Sequence, residues 1–595
     1  MGFNQDASAK LERMGKMLEL LGENRFRVNA YANAARAIEQ RSEDLSEIAG
    51  DESALTEIEG IGKGTAEKLA ELASTGRIEE LEELEKQVPA GLLEVMDIPG
   101  VGPKTAKALW ETLDIRDVEG LRAALDDGRI LDVPRVGEKA AQKIRENLSF
   151  AEQSGKRLHL GLAQPIAERL VERLGAVEGV ERIAYAGSLR RGKETIGDVD
   201  LLCVASDPGA VADAFCDDES VVQVIGRGET KCSVRVKIEG APARWKGYPA
   251  DQSPSVQADL RIVPEASWGA ALMYFTGSKE HNVRLRERAQ KRGMTLNEYG
   301  LYELDDSGGA AEGDPVAGRT EEEVYKALGL AWIPPELREN RGEFDRDPPE
   351  DLISLGAIAA ELHAHTTESD GRLSLEELVR QAIDRGFHTI AVTDHSRSSA
   401  QAGGLDVERL EQQRESIDKA RARFGDAISI LHGCEVDIHA DGSLDFEDDI
   451  LFWLDWVVAS PHTALDQPPK KATERLVRAV SHPAVHVLGH PTGRIIERRK
   501  GLEPAMDEVY AAAAEHETAL EINAHWLRLD LRDTQVDGAV RAGCLIAIDC
   551  DVHAAENFDN LRFGVETARR GGLTTGRCLN SWDRDRLEAW RAASR

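Results

Sequence analysis

Asp198 and Asp200 stand one residue apart in the stretch Gly187-Ser188-Leu189-Arg190-Arg191-Gly192-Lys193-Glu194-Thr195-Ile196-Gly197-Asp198-Val199-Asp200. On an extended strand that spacing projects both carboxylates from one face. Such a pair repels itself unless divalent cations lie between the two, and magnesium binds in this way, through a few carboxylates together with phosphates and water. Upstream of the pair, Gly187-Ser188 and Arg191 offer backbone, hydroxyl and guanidinium donors to a triphosphate. An isolated Asp-x-Asp is usually a solvated strand end. The Gly-Ser element before this one points instead to nucleotide chemistry.

A second constellation fills the C-terminal part. Of the 15 His, 13 lie after residue 360. There, apolar runs of strand character repeatedly end in a candidate metal ligand. The runs are Glu361-Leu362-His363-Ala364-His365, followed by Asp370; Thr389 to His395; Ile428 to Asp437, which includes Glu435; Trp456 to His462; Val485 to His490; and Leu545 to His553, which includes Asp551. Helical segments separate them. The expectation is a β/α barrel whose strand ends bring the ligands to one mouth. Mixed imidazole and carboxylate donors suit manganese, zinc or iron.

The elements before these sites are of a third kind. Residues 1 to about 150 read as helical, with a repeated hairpin: Ile58-Glu59-Gly60-Ile61-Gly62-Lys63-Gly64, then Ile98-Pro99-Gly100-Val101-Gly102-Pro103-Lys104, then a degenerate Val133-Pro134-Arg135-Val136-Gly137-Glu138. Glycines there permit a tight turn whose backbone N–H groups face outward at a helix N-terminus, a seat for phosphate. Residues 156–335 mix short apolar strands with helices, and the polar stretch from Pro334 to Pro349 reads as a linker.

At 595 residues the chain exceeds one core and should form several domains. No apolar run reaches membrane-spanning length. Met1–Lys10 lacks a signal-peptide pattern, and seven scattered Cys without a Cys-x-x-Cys pair fit a reducing cytoplasm. The net charge of −33, from 74 basic and 107 acidic residues, runs against nucleic-acid binding taken alone. It has two readings: a protein that never meets DNA, or one adapted to a very salty cytoplasm, where charge repulsion is screened.

The mid-chain segment resembles the nucleotidyltransferase signature, and more specifically the palm of family X DNA polymerases. Asp259, in Gln257-Ala258-Asp259-Leu260-Arg261, matches the family's third carboxylate. Tyr274-Phe275-Thr276-Gly277-Ser278 with Asn282 and Arg286 matches the sugar and templating-base motif of the thumb, and Leu296-Asn297-Glu298-Tyr299 matches the strand after it. The Gly hairpins resemble helix-hairpin-helix motifs, which grip DNA backbones; Gly60, Gly62, Gly64, Gly100, Gly102 and Lys104 are the implied contacts. The C-terminal part resembles the polymerase and histidinol phosphatase (PHP) domain, with all nine ligand positions filled: His363, His365, Asp370, His395, Glu435, His462, His490, Asp551 and His553. Glu435 is expected to bridge two ions, and His388, His439 and His482 match no ligand position.

The resemblance implies helical residues 1–85 and fingers 86–155, each with a hairpin, an α+β palm 156–263, a thumb 264–335, a linker 336–355 and a distorted β/α barrel 356–595. It implies two magnesium ions on Asp198, Asp200 and Asp259. Ser188, Arg191, Gly187 and Gly197 would hold the triphosphate, Tyr274, Phe275 and Gly277 the sugar, Asn282 the base edge, and Arg286 would complete the nucleotide pocket. The implied activity is gap filling on gapped or nicked DNA from deoxynucleoside triphosphates by a monomer. A barrel with up to three manganese or zinc ions would act as a 3′–5′ exonuclease, or cut at abasic sites. The alternative is a DNA-binding module carrying a small-molecule phosphatase. Lys68 stands where the lyase members of the family keep a Schiff-base lysine, and Arg27 and Tyr31 match its pocket in part. Gln257 is a departure, because vertebrate relatives carry Arg there to orient the third Asp.

Overall fold

The computed structural model describes residues 3–593, apart from 40–44, 57, 59, 97, 99–100, 135, 143, 146–156, 239–254, 306–309, 312 and 497. The chain divides into two compact units, Met1–Arg157 with Arg244–Gln252, and Leu158–Ala243 with Ser253–Arg595.

The first unit is helical. In Phe3–Leu21, Ala7, Leu11, Met14 and Leu18 recur at helical spacing and are buried against Ile38, Leu69 and Leu109. Asp117 caps Val118–Asp126 by accepting from the Gly120 N–H at 2.8 Å. The hairpin glycines precede Lys63–Thr75 and Pro103–Leu113, and Gly62 and Gly102 are the respective N-caps.

The second unit begins with a five-stranded sheet: β1 (Val180–Tyr185), β2 (Val199–Ala205), β3 (Val221–Arg227), β4 (Lys231–Lys237) and β5 (Ser255–Ile262), in the order β1-β2-β5-β4-β3. Only β2 and β5 run parallel. In β5 every second residue is buried (Val256, Ala258, Leu260, Ile262), which leaves Gln257, Asp259 and Arg261 on the other face. Leu201 to Val204 of β2 are all buried, so this strand is covered on both faces.

A helical region with a small hairpin follows, packed on Met273, Leu285, Leu301, Val324 and Tyr325. The stretch from Pro334, polar enough to read as a linker, is packed instead. Arg338 is fully buried and donates to both oxygens of Glu321 at 2.7 and 3.1 Å, while Arg190 donates to the same pair at 2.7 and 2.9 Å. Composition missed this because the two charges are buried as a pair. Burial alone would raise the pKa of Glu321, but Arg338 and Arg190 override it and hold the carboxyl well below its ordinary 4.5. A depressed acid contributes stability that is present above its ordinary pKa and lost as pH falls below it. Arg338→Ala is therefore expected to cost about 3–5 kcal/mol, since it strips one partner from a buried pair. Denaturant melts of the variant should show it, and the difference from the parent should shrink below about pH 4.

The barrel comprises β6 (Ala360–Ala364), β7 (Thr389–Val392), β8 (Ser429–Asp437), β9 (Trp456–Ser460), β10 (Val487–Leu488), β11 (Ala519–Asn523) and β12 (Ile546–Asp549). Every pair is parallel and strand order follows the sequence. The ring closes where Ala364 bridges Val552 and the His365 N–H donates to the Val552 carbonyl at 2.8 Å. The seven strands are buried almost end to end, as parallel strands sheathed by helices must be. All seven cysteines are free and buried.

Candidate functional sites

Asp198 precedes β2 and Asp200 lies in it, while Asp259 of β5 is the register partner of Asp200 across the one parallel pairing of that sheet. The three carboxylates therefore converge. Burial, then the charges of Asp198 and Asp259, pushes the pKa of Asp200 up to about 7. Crowding of this kind fits a divalent-cation seat, since an ion between the three would remove the repulsion. Gln257 donates to Asp259 Oδ1 at 3.0 Å, and Lys231 Nζ lies 3.8 Å from Oδ2. The amide thus takes up the orienting position that its residue type left open.

Gly187 has φ +63°, and a Cβ on it would lie 2.2 Å from Asp200 Oδ2, so the Gly-Ser turn and the carboxylates are in contact. Ser188 is half-buried in that turn and Gly197 is exposed before Asp198. Arg191 is engaged, with Nε 2.9 Å from Glu339 Oε1 and Nη1 donating to the Thr276 carbonyl. Tyr274 and Phe275 meet edge to face at 5.2 Å, and the Arg261 guanidinium lies 4.3 Å over the Phe275 ring. Gly277 ends the same helix, Asn282 Nδ2 donates to the Tyr274 carbonyl at 2.7 Å, and Arg286 is half-buried one turn on.

In the first unit Gly60, Gly62, Gly64, Gly102 and Lys104 are exposed, and Gly100 lies outside the described residues. Neither hairpin helix has a side-chain cap, and a Cβ on Gly62, Gly64 or Gly102 would meet nothing within 4 Å. Open N–H groups at a helix start suit a phosphate. Lys68 Nζ lies 3.3 Å from Glu80 and 3.6 Å from Glu71; Glu80 also pairs with Arg27 and accepts from the Tyr31 hydroxyl at 3.2 Å. A Schiff-base lysine is served by apolar or cationic neighbours, so this surrounding does not favour one.

In the barrel all nine expected ligands gather at the C-terminal ends of the strands. Three groups have ligand atoms within 4.8 Å of one another: His365, Asp370, His395 and His553; His363, His365 and Asp551; His395, Glu435 and His462. Glu435 is the hub. Its oxygens lie 2.9 Å from His395 Nδ1, 2.9 Å from His490 Nε2, 3.3 Å from His462 Nε2, 3.4 Å from His363 Nε2 and 3.6 Å from His365 Nε2. The donors fit metal ions: both ring nitrogens of His365, His363 Nε2 and Asp551 Oδ1 are buried with no hydrogen-bond partner. Burial opposes charge on His395, yet Glu435 and Asp370 drive its pKa up to about 11. His490 and Asp551 adopt φ of +24° and +52°, backbone strain of the kind found at functional sites.

Supporting residues escaped the sequence reading. Glu521 holds His363 Nδ1 at 2.6 Å, Asp437 holds His462 Nδ1 at 2.8 Å, and Asn523 donates to Asp551 Oδ2 at 3.0 Å. Such contacts fix the imidazole tautomer and turn Nε2 toward an ion. An acid inside the apolar run Ala519-Leu520-Glu521-Ile522 was the available signal for Glu521. His388 bonds Thr389 and the Trp582 carbonyl instead, and His439 and His482 pair with Asp445 and Asp448.

Comparison with known proteins agrees with this layout. The family descriptions "Helix-hairpin-helix domain" and "SAM-like Helix-hairpin-helix tandem" match residues 3–78 and 92–149, "DNA polymerase beta thumb" matches 271–339 and "PHP domain" matches 361–525. The chain is 27% identical to rat DNA polymerase lambda over 366 residues, 57% of this chain and 56% of that protein. It is 26% identical to a probable phosphatase of Thermoanaerobacter sp. over 236 residues, 38% of this chain and 91% of that protein. It is 35% identical to the DNA polymerase/3′–5′ exonuclease PolX of Bacillus subtilis over 587 residues, which is 98% of this chain and 99% of that protein. With an aspartate trio, Gly hairpins and a His-rich barrel in one polypeptide, and likeness to that relative from end to end, the chain belongs to the PolX family of DNA polymerase/3′–5′ exonucleases.

Proposed function

We propose that the aspartate trio fills gaps in nicked or gapped duplex DNA, and that the barrel nest trims the 3′ terminus before filling. The observation that supports this most is the register pairing of Asp200 with Asp259 beside the Gly187 turn. Asp198, Asp200 and Asp259 would hold two magnesium ions, and the nine-residue nest up to three ions of manganese or zinc. When bound, such ions neutralise phosphate charge and generate a nucleophile near neutral pH.

The chain's own groups do the rest. Asp259, oriented by Gln257, takes the proton of the primer 3′-hydroxyl. Ser188, Gly187 and Gly197 hold the β- and γ-phosphates, and Arg191 joins them by exchanging Glu339 for phosphate oxygen. Tyr274, Phe275 and Gly277 line the sugar, Asn282 turns to the base edge, and Arg286 completes the pocket. The exposed hairpin glycines with Lys104 grip the DNA backbone. In the barrel, Glu521 and Asp437 fix His363 and His462. The chain acts as a monomer. The small-molecule phosphatase alternative leaves the aspartate trio and the Gly-Ser turn without a task.

A chelator should abolish both extension and 3′ trimming on a gapped duplex. Magnesium should restore extension and manganese should restore trimming, with metal content followed by elemental analysis. Extension that persists in chelator would end the reading. With a net charge of −33, extension is also expected to hold at molar salt, where DNA binders that rely on ordinary phosphate contacts release. A salt series on the same substrate measures this.

A further inference from the structure

Six of the seven barrel strands carry at least one of the nine ligands at or just past their C-terminal ends. β11 carries none. Its strand leads into the turn 525–529, held by the Leu527 N–H on His525 Nδ1 and by the Arg528 and Leu529 N–H groups on the His525 carbonyl at 2.7 and 3.0 Å. That turn delivers Arg528 to the same mouth. Arg528 lines the cavity of about 490 Å³ over the nest, together with Asp370, His395, Glu435, His490 and His553, and is the one Lys or Arg among the described residues lining it.

Among the described residues its guanidinium makes no side-chain hydrogen bond or ion pair, although its charge reaches the buried Asp530 carboxylate. Nη1 is buried with no hydrogen-bond partner. Among the described residues no carboxylate lies within ion-pair distance of it, whereas two nearby arginines are paired or bonded: Arg494 to Glu194 at 2.7 Å and to the Leu529 carbonyl at 2.6 Å, and Arg499 to the Gly493 carbonyl at 2.8 Å. A buried donor left open loses its hydration with nothing in return unless something fills it. An anion small enough to sit over the nest fits that opening, and guanidinium geometry matches a tetrahedral phosphate.

We propose that Arg528 is the phosphate clamp of the barrel site: its open Nη1 binds a non-bridging oxygen of the 3′-terminal phosphodiester. This rests on the 3′-trimming reading above. In that hydrolysis a water oxygen bonds to phosphorus and the bond to the penultimate 3′ oxygen breaks. The 3′ oxygen takes a proton, and a 5′-mononucleotide departs. Negative charge gathers on the non-bridging oxygens as this happens, and Arg528 meets it without displacing any existing partner.

The test uses the full chain with Arg528→Ala and Arg528→Lys. Trimming of a 3′ end is measured as kcat and KM, binding of inorganic phosphate by calorimetry on metal-loaded protein, metal content by elemental analysis, and primer extension as a check on the fold. Arg528→Ala is expected to lose about 50-fold in kcat/KM and about 10-fold in phosphate affinity at unchanged metal content, with Lys restoring part of each. Unchanged phosphate affinity, or a loss of metal that accounts for the loss of activity, would overturn the clamp. A wild-type protein that is fully metal-loaded yet releases no nucleotide would overturn the trimming reading itself, and it is told apart because the parent then fails before any variant is compared.

Discussion

Asp259→Ala is expected to reduce gap-filling extension by about 10³-fold or more, leaving 3′ trimming within about twofold. The size follows from position. Asp259 is the cross-strand partner of Asp200, held by Gln257 at 3.0 Å, and it is the proposed acceptor of the primer proton. On the proposed reading, removing it takes away a metal donor and the base together. A companion variant separates this from damage to the fold. Asp200 has its pKa pushed up to about 7, by burial and then by Asp198 and Asp259. The sign is that of an acid disfavoured in its charged form, so above its ordinary pKa of 3.8 the ionised carboxylate costs stability, increasingly up to pH 7. Asp200→Asn should therefore melt higher than the parent at pH 8 in chelator, while its extension is lost. Saturating magnesium should narrow the gap in melting temperature by stabilising the parent. A variant that melted lower in chelator would show that the trio is not a crowded cation seat.

His365→Ala carries the second large effect. His365 belongs to two of the three ligand groups, and both its ring nitrogens lack hydrogen-bond partners. Its loss should lower the metal content of the barrel and cut 3′ trimming by about 10²–10³-fold, more than the 10–100-fold typical of removing a residue that only orients a ligand. Glu521→Gln, which weakens the hold on His363 Nδ1, supplies that smaller comparison. Extension should survive in both. Equal trimming and equal metal content in His365→Ala and the parent would refute the nest as the trimming site.

The residues that gather at both candidate sites were largely legible from residue order. Asp198 and Asp200 announce themselves by a period of two, the spacing that an extended strand turns into a shared face, although only Asp200 lies within β2 and Asp198 just precedes it. The ligand runs of the barrel were legible for a similar reason: parallel strands buried on both faces are apolar throughout, so a His or Asp at their ends stands out. Local patterns of this sort survive folding because they depend on a few neighbouring dihedral angles.

What the chain order could not decide was every relation across strands or between distant segments. That Asp259 lies beside Asp200 follows from the parallel pairing of β2 with β5, which is set by the whole sheet. Arg338 and Glu321, 17 residues apart, are bonded in the core although the stretch around Arg338 has a linker's composition, because a charge pair can be buried once each charge meets the other. Glu521 and Asp437 became visible only when β11 and β8 brought them to His363 and His462. Arg528 is the clearest case. In sequence it is one arginine among many. Only the closed ring reveals that it stands at the one barrel strand end without a candidate ligand, and that among the described residues its Nη1 is buried with no hydrogen-bond partner.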